Sequence, residues 1–252
     1  MLSKVPAVTL MFWVIKILAT TVGETGGDAL SMTLKLGYAV SSLIFLAFFG
    51  VTLAAQVAAK RYHAFTYWAV VVATTTVGTT MSDYLDRTLA LGYVKSSIIL
   101  FVGVLLVLYL WKLKAGRIKF ENITHKTDEI FYWLTILVSN TLGTALGDFV
   151  ATTTGLGFER GAIVFAGMIL IVAAAYRWTT KIAPSVLFWA AYVLTRPLGA
   201  TLGDTLTKAS TEGGLALGRI TSSLTIAAIM VIGILITMRK RPADPAPWRY
   251  DV

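Results

Sequence analysis

Four aspartates, Asp28, Asp83, Asp148 and Asp204, each follow a tryptophan (Trp13, Trp68, Trp133 and Trp189) by fifteen residues. In a helix of about 3.6 residues per turn, positions seven, eleven and fifteen after each tryptophan fall on one stripe. The stripe reads Thr20, Glu24, Asp28; Thr75, Thr79, Asp83; Asn140, Thr144, Asp148; and Arg196, Ala200, Asp204. Carboxylate, hydroxyl and amide oxygens are the ligands hard cations take. The chemistry in view is therefore cation binding, with the four aspartates and Glu24 as charged ligands and Asn140, Thr79 and Thr144 as neutral ones. Arg196 and Glu24 lie deeper than the aspartates and are expected to pair across the bundle or to gate it. Lys16, one turn from Trp13, is grouped with Arg196 as a gating or charge-pairing residue, its ammonium expected to snorkel toward the cytoplasmic interface.

Other chemistries find few residues to use. The chain has no cysteine and two histidines, His63 and His125, both in polar connections, which leaves nothing for thiolate or Ser/His nucleophilic catalysis. Gly147-Asp148 and Gly203-Asp204 stand where an intramembrane aspartyl protease would carry Gly-x-Gly-Asp, but Ala145 and Thr201 replace the first glycine. No phosphate-binding loop is present. The protein is read as no enzyme and as needing no cofactor beyond a transported divalent cation.

The elements that must hold these residues are membrane helices. Only 14% of the residues are charged and 56% are apolar. Runs such as 39–59, 94–111, 161–176 and 220–238 approach the ~20 residues that cross a hydrocarbon core of about 30 Å. The first apolar stretch, after Lys4, lacks a small-x-small cleavage region and is read as a retained helix. The fold expected is an all-α integral membrane bundle of eight transmembrane helices, built as four parallel two-helix repeats. The repeats cover about 5–59, 64–112, 129–177 and 185–238 within one unit, 1–241, and 242–252 forms a disordered tail.

Each repeat opens with the polar helix and closes with an almost wholly apolar one. A glycine follows each tryptophan by ten residues (Gly23, Gly78, Gly143, Gly199), and Gly27, Gly147 and Gly203 follow four later. Small residues four apart let helices approach closely in lipid, so the polar helices are expected inside and the apolar ones outside. The tryptophans are read as interface anchors.

The formal charge of +9 does not imply nucleic acid. With connections assigned alternately to two sides, one side gathers most of the basic residues, including Lys112, Lys114, Arg117, Lys119, Lys126, Arg239, Lys240 and Arg241. The other holds Lys35, Arg87, Lys95, Arg160, Lys208 and Arg219. The positive-inside rule then places both termini in the cytoplasm.

The four Trp-to-Gly-to-Asp frames, with Leu36-Gly37-Tyr38, Leu91-Gly92-Tyr93 and Leu156-Gly157-Phe158 at one shared spacing, resemble a bacterial inner-membrane family. Its members consist of four tandem two-helix repeats of unknown function, each marked by a tryptophan. The resemblance implies the architecture and a multi-pass location in the inner membrane, and carries no activity. The fourth repeat departs from the pattern, with Arg196-Pro197 and a longer connection after Asp204.

Four aspartates and Glu24, buried and unpaired, would cost on the order of 12–18 kcal/mol on membrane-insertion scales. Counted against Lys16 and Arg196, they leave a negative surplus for a cation or protons to neutralise. The function expected is secondary transport, best stated as export of a hard divalent cation such as Mn²⁺ or Mg²⁺ in exchange for protons. The alternative is a proton-coupled carrier of a small organic cation. The partners are lipid, the cation and protons, and the sequence leaves a homodimer open.

Overall fold

The computed structural model describes residues 4–59, 61–116, 118, 123 and 125–239. The expectation for the tail, 242–252, lies outside the described residues. Eight α-helices follow one another: α1 (Leu10–Asp28), α2 (Gly37–Ala58), α3 (Ala64–Asp83), α4 (Gly92–Ala115), α5 (Lys126–Asp148), α6 (Phe158–Trp178), α7 (Pro184–Thr207) and α8 (Arg219–Arg239). The first begins later than the repeat bounds suggest. Thr9 caps it, its hydroxyl accepting from the Phe12 amide at 3.2 Å, and residues 5–9 precede it as non-helical chain.

The first three polar helices end at their aspartates, whereas α7 runs three residues past Asp204 to Thr207. In the first three repeats a five-residue π-helical turn follows: Ala29–Thr33, Tyr84–Thr88 and Phe149–Thr153. The wider turn brings the chain round to the Leu-Gly-aromatic corner, where Gly37, Gly92 and Gly157 take φ of 74°, 72° and 78°. Glycine adopts this conformation without steric penalty. The fourth repeat replaces the π turn with a 3₁₀ turn, Ser210–Glu212.

The odd-numbered helices close into a ring in the order α1, α3, α5, α7 and back to α1. The second helix of each repeat packs against the first helix of the next repeat: α2 on α3, α4 on α5, α6 on α7, and α8 on α1. The four repeats are thereby interlocked, with the last clasping the first. Gly233 of α8 lies against Ile15 of α1 and Ser223 donates to the Thr25 hydroxyl at 2.8 Å.

The even-numbered helices present Leu43, Phe48, Phe101, Leu105, Leu170, Ile171, Leu224 and Ile232 outward. Among the described residues, five helices are long and apolar enough to cross a membrane: α2, α4, α6, α8, and α5 with its π turn. Unlike the outer helices, α5 has a largely buried span. The remaining three, α1, α3 and α7, carry the polar stripe, which lowers their hydropathy.

Ring closure depends on glycine. A methyl at Gly23 would collide with Thr75, one at Gly143 with Arg196, and one at Gly199 with Thr20; at Gly78 it would meet the Asn140 carbonyl carbon at 2.9 Å. In each case the glycine of one repeat receives the residue seven after the tryptophan of the next. One turn on, Gly27 receives Thr79, Gly147 receives Ala200, and Gly203 receives Glu24. The glycine seam and the polar stripe are therefore the two sides of one joint, repeated around the ring.

Candidate functional site: a polar column on the ring axis

At the tryptophan end an aromatic collar closes the ring. The residue before each tryptophan (Phe12, Tyr67, Tyr132, Phe188) packs on the tryptophan of the following repeat: Phe12 on Trp68 at 5.6 Å, Tyr67 on Trp133 at 5.5 Å, Tyr132 on Trp189 at 5.7 Å and Phe188 on Trp13 at 5.6 Å. The hydroxyls of Tyr67 and Tyr132 share a 2.7 Å hydrogen bond. Trp68, Trp133 and Trp189 are buried. The reading of the tryptophans as interface anchors is corrected for these three, whose ring faces are taken up by neighbouring aromatics.

Lys16 is the next correction. It does not snorkel outward. Its side chain is wholly buried, with Nζ 4.3 Å from the centre of the Tyr192 ring and no hydrogen-bond partner among the described residues. It stands one turn after the collar, where α1 faces α7, and a lysine pointing inward cannot reach a surface.

One turn further, Arg196 extends from α7 across the ring. Its Nη2 reaches Glu24 Oε2 on α1 at 3.0 Å, Thr144 Oγ1 on α5 at 2.6 Å and Thr79 Oγ1 on α3. Its Nη1 donates to the Thr20 carbonyl at 3.2 Å. One side chain therefore joins all four inner helices. Asn140 stays beside this centre, donating from Nδ2 to the Thr74 hydroxyl at 3.0 Å.

The four aspartates are all buried at the opposite end. Two basic residues link them in pairs. Arg87 Nε lies 2.9 Å from Asp83 and its Nη2 lies 3.6 Å from Asp148. Lys208 Nζ lies 3.3 Å from Asp204 and 3.4 Å from Asp28, and Arg219 from α8 approaches Asp28 at 3.4 Å. Arg87 and Lys208 also line one cavity of about 390 Å³, with Tyr93, Thr152, Phe158 and Glu212 on its walls.

The negative surplus inferred from sequence is thereby corrected. Glu24 and the four aspartates pair with Arg87, Arg196, Lys208 and Arg219; the buried Lys16, which contacts none of them, brings the formal count to five against five. Carboxylate costs of this size are offset by pairing, hydration, protonation or a bound ligand, and here pairing provides much of it. Sequence reasoning placed Arg87, Lys208 and Arg219 in solvent-facing connections. For the first two the available signal was their spacing: each is four residues after its repeat's aspartate, continuing the same stripe.

Among the described residues, one group offers metal-binding geometry. Glu24, Asp28 and Asp204 each present a carboxylate oxygen, and the three lie within 4.8 Å of one another. Three buried oxygens at that spacing suit a hard divalent ion, with Lys208 as the resident positive charge beside two of them. Asp83 and Asp148, also expected as metal ligands, are not in this group and share Arg87 instead.

These features define a multi-pass, helical membrane protein with internal repeats, its polar groups turned toward a common axis and its apolar helices in contact with lipid. The chain belongs to the family defined by the Repeat of Unknown Function (DUF347), which matches residues 11–62, 66–116, 131–181 and 187–242. No curated protein and no solved structure matches it.

Proposed function

We propose that the protein is a secondary transporter of a hard divalent cation, exporting it from a bacterial cytoplasm in exchange for protons. The observation that carries this reading is the convergence of Glu24, Asp28 and Asp204 within 4.8 Å at the aspartate end. In the topology that accompanies it, all eight helices span the inner membrane and both termini are cytoplasmic, as the distribution of basic residues favours. The aspartates then lie toward the outer face and the aromatic collar toward the inner one.

The charge balance gives the exchange a definite form. Lys208 and Arg219 together neutralise Asp28 and Asp204 when no metal is bound. A divalent ion entering between them takes over that role, and the ammonium moves into the adjoining cavity, which Lys208 already lines. Release of the ion on the outer side loads protons onto Asp28 and Asp204, and loss of those protons to the cytoplasm re-ionises the pair and restores the lysine contact. The aromatic collar and Arg196 close the column on its other side.

Reconstituted vesicles test this directly. Mn²⁺ and Mg²⁺ flux driven by an imposed proton gradient should be abolished by Asp204→Asn and by Asp28→Asn. Folded variants transporting at the wild-type rate would refute the assignment.

A further inference from the structure

The environment of Arg196 is a cation-binding shell in its own right. Around its two terminal nitrogens stand Glu24 Oε2, the hydroxyls of Thr79 and Thr144, and the backbone carbonyls of Thr20 and Thr75, the last at 3.4 Å. Three of the four inner helices supply these oxygens and the fourth supplies the cation. The shell contains one carboxylate, and Arg196 has no exposed surface. At the equivalent place the other repeats carry the uncharged Thr20, Thr75 and Asn140, so only α7 carries a charge at this position of the repeat.

We infer that this shell is an axial binding site for a planar monovalent cation of the guanidinium class, filled by the protein's own Arg196 as a tethered ligand. The side chain acts as a built-in plug. Four of the five acceptors surround Nη2 and the fifth meets Nη1, so both terminal nitrogens of the planar head group are engaged together. No ion can pass along the axis while the guanidinium stays in place. This conclusion does not rest on the transport reading, because it concerns occupancy of an inner site and makes no claim about metal flux.

The test removes the tether and supplies the head group. Arg196→Ala leaves the oxygens of the shell in place, and free guanidinium at low millimolar concentration is the probe. Thermal unfolding of the purified variant should shift upward saturably, by roughly 5–10 °C at a hundredfold excess over Kd. Sodium should give no such shift. Wild type and Arg196→Lys, whose shells remain filled, should not respond to guanidinium. Adding Glu24→Gln to Arg196→Ala should weaken binding at least about tenfold, the loss of one charged acceptor.

If Arg196→Ala does not fold by itself, recovery of folded, monodisperse protein when guanidinium is present during purification supports the inference. A folded Arg196→Ala that responds to guanidinium no differently from wild type overturns it. Failure of guanidinium to recover an unfolded variant also overturns it.

Discussion

Replacement of Gly78 by alanine should separate two effects that usually travel together. In a helix interior alanine is favoured over glycine by roughly 0.8–1 kcal/mol, so the change would stabilise an unpacked position. At Gly78 the added carbon would meet the Asn140 carbonyl carbon at 2.9 Å and its Cβ and carbonyl oxygen at 3.1 Å each. Comfortable carbon contacts lie near ~3.5–4.0 Å, a shortfall of more than half an ångström. Two of the three obstructing atoms are backbone, so no rotamer change relieves the overlap, and α3 and α5 must separate. Overpacking of this kind costs roughly 1–3 kcal/mol. Gly50 and Gly167 provide internal controls, since an added carbon at either meets nothing within 4 Å. Intrinsic tryptophan fluorescence during thermal unfolding in detergent is the assay. At about 2–4 °C per kcal/mol for a chain of this size, Gly78→Ala should melt several degrees below Gly50→Ala and Gly167→Ala. Equal melting temperatures for the three variants would refute the claim that the glycine seam sets the spacing of the ring.

Other consequences are equally accessible. Glu24→Gln leaves the Arg196 guanidinium without its carboxylate in a fully buried position, and should destabilise the protein by about 3–5 kcal/mol, measured by the same unfolding assay. Combined with Arg196→Gln, the loss should be markedly smaller than the sum of the two single losses, because neither variant alone removes both charges. Cysteines introduced at Ile15 and Gly233, in a chain that has no others, should cross-link in membranes with a short bifunctional maleimide. After cleavage in the connection between α4 and α5, the two halves should then remain joined on a denaturing gel. Arg87→Ala should leave Asp83 and Asp148 unpaired and lower the melting temperature, whereas Arg177→Ala, at an exposed residue with no ion pair among the described residues, should shift it little.

The repeat, the glycine seam and the facing polar stripe are all legible in the sequence, because strict spacing within a helix fixes which residues share a face. The residues that face each other across the ring are not. That Thr75 enters the notch at Gly23, and Arg196 the notch at Gly143, follows from the order in which helices close, and a linear pattern common to all four repeats does not fix neighbours. The inward turn of Lys16 is hidden for a related reason. A lysine near a helix end has a solvent-reaching alternative, and only the position of α7 removes it. Arg87 and Lys208 carried a readable signal, a spacing of four from the aspartates, but the end of apolar sequence hid the continuation of the stripe through the last turn. The tryptophans were legible as a mark of the repeat and misleading as to role, since composition alone does not say whether a ring packs on lipid or on another ring.

The clasp of α8 upon α1 has a consequence for biogenesis. Synthesis proceeds from the amino end, so α1 is made first, while the helix that covers the face around Ile15 and Thr25 is made last. Until then the earliest span offers hydroxyls and a bare flank to whatever adjoins it, whether lipid, the insertion machinery or a neighbouring chain. No single two-helix unit is self-sufficient, because each lends its outer helix to a successor. The ring is thus complete only when α8 docks on α1, and a chain lacking α8 would leave that flank of α1 uncovered.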